Sequence, residues 1–187
     1  MAAWKSLAAA AAMLVFSAAA WAQDSAPAER HLYVGAGGGQ AQWRPGCTGN
    51  VADCDDTNVS VHVFAGYQVN RILSGEVAFT NYGKAAGTNM EVKGRGWEVS
   101  ALAAWPLGPV AVFGRLGVYR GVVKGEGELA GRTESNYGPT YGVGVQGDFT
   151  PRLGARLEWQ VFPGLGGSTI PDSDVKIISV SAFWRFR

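Results

Sequence analysis

The segment Val175-Lys-Ile-Ile-Ser-Val-Ser-Ala-Phe-Trp-Arg-Phe-Arg187 limits the possible folds more than any other part of the chain. Ile178, Val180, Ala182, Trp184 and Phe186 fall on one face of an extended strand, and Ser179, Ser181 and Arg185 on the other. Period-two alternation of this kind suits a sheet with two different surroundings and does not suit a helix. Seven earlier segments repeat it, approximately His31–Trp43, Val59–Val69, Leu73–Gly83, Gly96–Trp105, Val110–Val122, Gly138–Phe149 and Leu153–Phe162. With 27 glycines and few helix starts, the chain reads as all-β.

The connections alternate in length. Asn70–Ile72, Pro106–Pro109 and Thr150–Arg152 are tight turns, whereas Arg44–Asn58, Lys84–Arg95, Val123–Tyr137 and Pro163–Asp174 are long, polar and glycine-rich. The N-terminus carries an export signal: Lys5, an apolar stretch from Leu7 to Ala20, and Ala20-Trp21-Ala22 as a small-x-small cleavage site before Gln23. The stretch is short for a membrane span, which needs about 20 residues, so an uncleaved anchor is the weaker reading. Cleavage after residue 22 of the 187 leaves 165, with 15 basic residues against 15 acidic ones, and nothing points to nucleic acid. The expected organisation is a signal over 1–22, a short polar lead-in over 23–30 and one domain over 31–187.

Strands of about ten residues, short turns opposed to long loops, and export together predict an eight-stranded antiparallel up-and-down transmembrane β-barrel in the bacterial outer membrane. Closure satisfies every backbone group without water. An even strand count puts both termini at the periplasmic end. The faces separate cleanly: Val59, Val61, Val63, Ala65, Tyr67 and Val69 oppose Ser60, His62, Phe64, Gly66 and Gln68, and Trp97, Val99, Ala101, Ala103 and Trp105 oppose Glu98, Ser100, Leu102 and Ala104. The apolar face is expected to meet lipid and the charged face to fill the lumen. Tyr67, Phe79, Trp97, Trp105, Phe149, Trp159, Trp184 and Phe186, near strand ends, are candidates for the interfacial aromatic girdles. A soluble lipocalin-type barrel, apolar face inward around a ligand, is the alternative that periodicity alone leaves open.

Cys47 and Cys54 lie in the first long loop, and in an exported chain this spacing reads as a disulfide that stiffens the loop. Metal binding is the other reading, but no histidine pair stands nearby to complete a zinc set. No metal or cofactor is expected.

Phe64-Ala-Gly-Tyr-Gln-Val-Asn70, Trp97-Glu-Val-Ser-Ala-Leu-Ala-Ala-Trp-Pro106, Gly114-Arg-Leu-Gly117 and Phe149-Thr-Pro-Arg-Leu-Gly-Ala-Arg-Leu-Glu-Trp-Gln160 resemble stretches of the OmpA transmembrane domain. The resemblance runs from about Leu32 to Phe186 and implies a water-plugged barrel of that superfamily with buried charges in its lumen. It places Glu76 and Arg156 at the family's central acid and base, and Arg115 and Glu158 at other lumen charges. Glu98, on the polar face of its strand, completes the expected set. Two positions depart: Gly37 stands where the family has a lysine and Gln146 where it has a glutamate, so a gate that swaps ion-pair partners is not expected. A Glu76–Arg156 pair is, because either charge alone in a narrow lumen is costly. Only Arg187 follows Phe186, so the family's peptidoglycan-binding domain and its wall-tethering role are not expected either.

The functional expectation is a structural or surface-interacting barrel that works through its four long loops, the segments taken as free of packing constraints. Outer-membrane lipids and lipopolysaccharide are its expected partners, with periplasmic chaperones and the barrel-assembly machinery during transit. A lipid A-modifying enzyme is the rival from another class. It needs a serine with a histidine base, and only His31, at the start of the first strand, and His62, expected near the outer end of the second and facing the lumen beside Ser60, are present. Gly35-Ala-Gly-Gly-Gly39 precedes no helix, so it reads as close strand approach rather than a phosphate cradle.

Overall fold

The computed structural model describes residues 30–44, 57–87, 90–127, 133–165 and 174–186. The export signal, Cys47 and Cys54 lie outside the described residues. Eight strands follow one another: β1 (His31–Arg44), β2 (Thr57–Gln68), β3 (Leu73–Gly87), β4 (Met90–Leu107), β5 (Val110–Gly127), β6 (Thr133–Asp148), β7 (Leu153–Phe162) and β8 (Asp174–Phe186). Each pairs antiparallel with its neighbours, and β1 pairs with β8 from Leu32↔Phe186 to Arg44↔Asp174, closing the barrel.

The short turns, the start of β1 and the end of β8 share one end, the turn end. Asn70 makes the first turn by accepting from the Ile72 and Leu73 amides at 2.8 and 2.7 Å through Oδ1. Thr150 does the same with its hydroxyl, accepting from Leu153 N at 2.9 Å. Between them Gly108 adopts φ 75°, a left-handed conformation that only glycine reaches without strain.

At the opposite, loop end, two expected loops are largely strand. β3 runs to Gly87 and β4 starts at Met90, in register from Lys84↔Lys93 to Gly87↔Met90. β5 and β6 likewise continue past Val123↔Glu134 to Lys124↔Thr133. Glycine and lysine hide these extensions in the sequence, but ladder hydrogen bonds come from the backbone and propagate along any pair already in register. The wall from β3 to β6 therefore stands taller than the rest.

Outward positions are apolar from strand to strand, with Val63, Val99, Val118, Val143 and Val180 all more than half exposed. The core lies inside the barrel. This orientation overturns the lipocalin alternative, in which the apolar face would turn inward. All eight expected girdle aromatics point outward: Tyr67, Trp105, Phe149, Trp184 and Phe186 toward the turn end, Phe79, Trp97 and Trp159 toward the loop end. Phe79 packs on Trp97 with ring centroids 5.0 Å apart and is only partly exposed. Tyr137 and Tyr141 join the loop-end group.

Candidate functional site

The side chains inside the barrel form the most organised constellation of the molecule. Each lumen charge has a small residue on at least one neighbouring strand, Gly142 beside Arg115 and Ala78 beside Glu98 among them. Glu76 is flanked by Gly66 and Ser100, Glu158 by Gly144 and Ser179, and Arg156 by Gln146 and Ser181. That spacing gives the long charged chains room to lean toward the axis.

They meet around Arg115. Its Nε donates to Glu158 Oε1 at 2.5 Å, and Nη1 donates to Ser100 Oγ at 2.8 Å and Glu98 Oε1 at 3.3 Å. Nη2 donates to Glu76 Oε2 at 2.6 Å and Glu158 Oε2 at 3.1 Å. All five guanidinium N–H groups are thus used. Glu76 carries the network onward: Oε1 accepts from Arg156 Nη1 at 2.7 Å and from the Tyr33 hydroxyl at 2.8 Å. Gln160 donates to Glu98 Oε2 at 2.7 Å. The five charged residues are each at most 4% exposed. Three carboxylates against two guanidiniums leave a formal excess of one negative charge, which the neutral donors Tyr33 and Gln160 help to solvate.

The expected Glu76–Arg156 pair is present but is not the hub, because Arg115 holds three acids and Arg156 one. Arg156 is placed mainly by rings, with its Cζ 4.9 Å from the centroid of Phe113, 5.1 Å from Phe64 and 5.5 Å from Phe183. Its Nη2 donates to Gln146 Oε1 at 3.2 Å, so Gln146 keeps a contact without a charge. At Gly37 there is no room for a longer residue, since a Cβ would run into Ser181 and the Val180 carbonyl. Both departures thus have a local fit.

The face expected to fill the lumen does point inward, and its charged side chains occupy only the middle of the tube. Toward the turn end Tyr33, Phe64, Ala78 and Phe183 pack together beside Leu102, Ala104 and Phe113. Toward the loop end Ala41, Trp43, Tyr82, Tyr119, Val123, Phe162, Leu165, Val175 and Ile177 form a larger apolar cluster. Phe162 sits edge-on to both Tyr82 and Tyr119, at 5.0 and 5.4 Å.

Alternation was visible in the sequence, but the rings on the inward positions were not recognised as a set. The missed signal is a cross-strand pairing of ring with glycine. Tyr33 lies opposite Gly66, Phe64 opposite Gly35, Phe113 opposite Gly144, Tyr119 opposite Gly138 and Phe183 opposite Gly154. In each case a Cβ on the glycine would collide with the ring, so the ring lies flat over bare backbone.

The fourth long connection is not free of packing either. Pro163, Gly164 and Leu165 turn into the loop-end mouth, where Leu165 is buried against the apolar cluster. The Tyr119 hydroxyl and Asn136 Nδ2 donate to the Pro163 and Gly164 carbonyls, both at 2.5 Å. Gly164, at φ 67°, makes the bend.

His62 stands at mid-strand between Gly37 and Thr80, not near the outer end, and its ring stacks on Phe64 at 5.8 Å. Ser60 is fully buried, and its hydroxyl has no hydrogen-bond partner. His31 lies at the turn end beside a vestibule of about 620 Å³. No group of three or more metal-ligating side chains occurs among the described residues.

The description of known families that fits this architecture is the OmpA-like transmembrane domain, which matches residues 27–187. The chain belongs to that family. Outer membrane protein A of Shigella dysenteriae is 28% identical over 179 residues, which cover 87% of this chain and 50% of the relative. That of Salmonella typhi is 28% identical over 178 residues with the same coverage. The chain spans about half the length of the curated relatives it matches. Among solved structures, Neisserial surface protein A superposes with a TM-score of 0.61 at 20% identity, over 83% of this chain and 97% of its own. Ail, the attachment invasion locus protein of Yersinia pestis, in complex with the heparin analogue sucrose octasulfate, gives 0.56 at 16% identity, over 84% and 99%. At these identities the likeness is one of fold. Membership of the OmpA-like family places the chain in the bacterial outer membrane, with its apolar outer band in lipid.

Proposed function

We propose that this OmpA-like barrel is a non-conducting structural protein of the outer membrane, with a lumen that is a protein core and contacts made through its loop end and outer wall. The observation that supports this reading is the succession of three side-chain layers along the lumen, aromatic, ionic and aromatic. A pore needs a connected polar path, and here the ionic layer turns its donors and acceptors on one another, Arg156 Nε excepted, while apolar clusters lie on either side. The test is single-barrel conductance in planar bilayers. The expected trace stays at baseline, and reproducible steps from the unmodified protein would overturn the reading.

The loop end, with the tall wall from β3 to β6, faces outward in this reading and offers the surface for molecules outside the cell. The heparin analogue on Ail is consistent with such use of the fold and does not assign a ligand. Lipids of the outer leaflet, lipopolysaccharide among them, surround the barrel, and periplasmic chaperones and the barrel-assembly machinery deliver it.

Catalysis is not part of the proposal. A lipid A-modifying centre must reach lipid, whereas Ser60 and His62 both face the lumen. Lipid A from cells carrying His62→Asn should be indistinguishable from that of cells with the unmodified protein, and an altered acylation pattern would reopen the enzymatic reading.

A further inference from the structure

A β-bulge breaks the regular outer wall at the loop end. Tyr82 and Gly83 of β3 face the single residue Gly94 of β4, and Gly83 takes φ 75°. Pairing of β2 with β3 stops at Val61↔Asn81, although β2 continues to Thr57 along β1. A groove of about 420 Å³ lies over this seam. Val59 and Val61, 67% and 53% exposed, line one side. Lys93, Arg95 and Lys124 line the other, and no acidic residue lines it among the described residues.

Its height on the barrel limits what can enter. Trp97 and Trp105 of β4 stand about 20 Å apart along the membrane normal, at a rise of ~3.4 Å per residue and a tilt of ~40°. Trp97 therefore marks the loop-end interface. Arg120 pairs across from it and stacks over Tyr137 at 5.4 Å, and Arg95 lies two residues nearer the loop end. Val61 and Arg95 share one ladder row through Asn81, so valines and cations face each other across the groove near the level of Trp97. Arg95 and Lys124 make no ion pair with a described residue. The backbone pair Glu91↔Glu126 lies two residues beyond Lys93↔Lys124 toward the loop end.

We propose that this groove binds an outer-leaflet glycolipid of the lipid A type, with a headgroup phosphate on Arg95 and Lys124 and an acyl chain along Val59 and Val61. Charge complementarity selects the phosphate, and the adjoining valines select a lipid over a free anion. The inference rests on the orientation given under the proposed function, with the loop end outward.

The test is binding of bis-phosphorylated lipid A to the full-length protein in nanodiscs, followed by native mass spectrometry. Dephosphorylated lipid A, inorganic phosphate as competitor, and two variants accompany it. R95Q/K124Q should bind at least about tenfold more weakly, as expected for two headgroup-level cations. Dephosphorylated lipid A should show a similar loss with the unmodified protein. R71Q/R152Q, which removes two exposed arginines at the turn end, should bind like the unmodified protein. Equal binding of both lipids, an unaffected R95Q/K124Q, or an equal loss in R71Q/R152Q would each overturn the site. Displacement by millimolar inorganic phosphate would overturn its lipid half. Heat-dependent gel mobility of R95Q/K124Q should be unchanged, showing a folded barrel. Conductance is read separately, so failure of the non-conducting assignment and failure of this site remain distinguishable.

Discussion

In the middle of the lumen Arg115 makes five hydrogen bonds to three acids and a serine, while toward the loop end Trp43, Tyr82, Tyr119, Phe162 and Leu165 pack with hardly a polar contact to fix them. The two layers fill a tube of the same width by different physics. The ionic layer depends on direction: each member satisfies another, and removing one leaves its partners buried and uncompensated. The apolar layer depends on volume, and tolerates changes of direction as long as no void or overlap appears. Small neighbours are needed in both, serine and glycine beside the charges and glycine opposite the rings. A narrow barrel makes room for a large side chain by placing a small residue on a neighbouring strand, and one side suffices where Leu102 stands beside Arg115 and Tyr119 beside Glu98.

The comparison predicts unequal responses. Arg115→Leu should be the most damaging single change, at about 3–5 kcal/mol, because three carboxylates lose their common partner in a space that admits little water. Urea titration of the folded protein in lipid vesicles, followed by tryptophan fluorescence, reads this directly. Combining Arg115→Leu with Glu98→Gln and Glu158→Gln should recover part of the loss, since Glu76 keeps Arg156. If Arg115→Leu unfolds at the same urea concentration as the unmodified protein, the ionic layer is incidental to stability. Phe162→Ala, in the other layer, should cost about 3 kcal/mol through a cavity between Tyr82 and Tyr119. It should leave bilayer conductance at baseline, because the ionic layer beneath it is intact. Channel steps in Phe162→Ala would mean that the apolar layer alone closes the tube.

The outward face was legible in the sequence because its rule is simple: lipid demands apolar groups at every second position, and Ile178, Val180, Ala182, Trp184 and Phe186 state it without exception. Glu76, Arg115, Arg156 and Glu158 were legible through the motifs around them. The hub role of Arg115 was not, because it depends on where four strands bring their side chains across the axis, which no local pattern encodes. The strand extensions Lys84–Gly87 and Met90–Lys93 were hidden because Lys-Ala-Ala-Gly and Met-Glu-Val-Lys carry too little β-branched and aromatic alternation to mark a strand. Leu165 was hidden differently: a single apolar residue in a glycine-rich loop carries no period, and only the hydrogen bonds from Tyr119 and Asn136 to Pro163 and Gly164 turn it into the mouth.

The smallest of these effects tests the ring-over-glycine rule. A Cβ on Gly138 would stand 2.8 Å from Cε1 of Tyr119, so Gly138→Ala should cost about 1–2 kcal/mol by overpacking. Because Tyr119 also donates its hydroxyl hydrogen to Pro163, ring and hydroxyl must be separated. In a Tyr119→Phe background the ring remains and Gly138→Ala should cost as much as before. In a Tyr119→Leu background the ring is gone and the same substitution should become nearly neutral, a coupling that a double-mutant cycle measures. A penalty that persists with leucine would place the strain in the backbone of β6, and glycine would then be needed for strand geometry rather than to receive the ring.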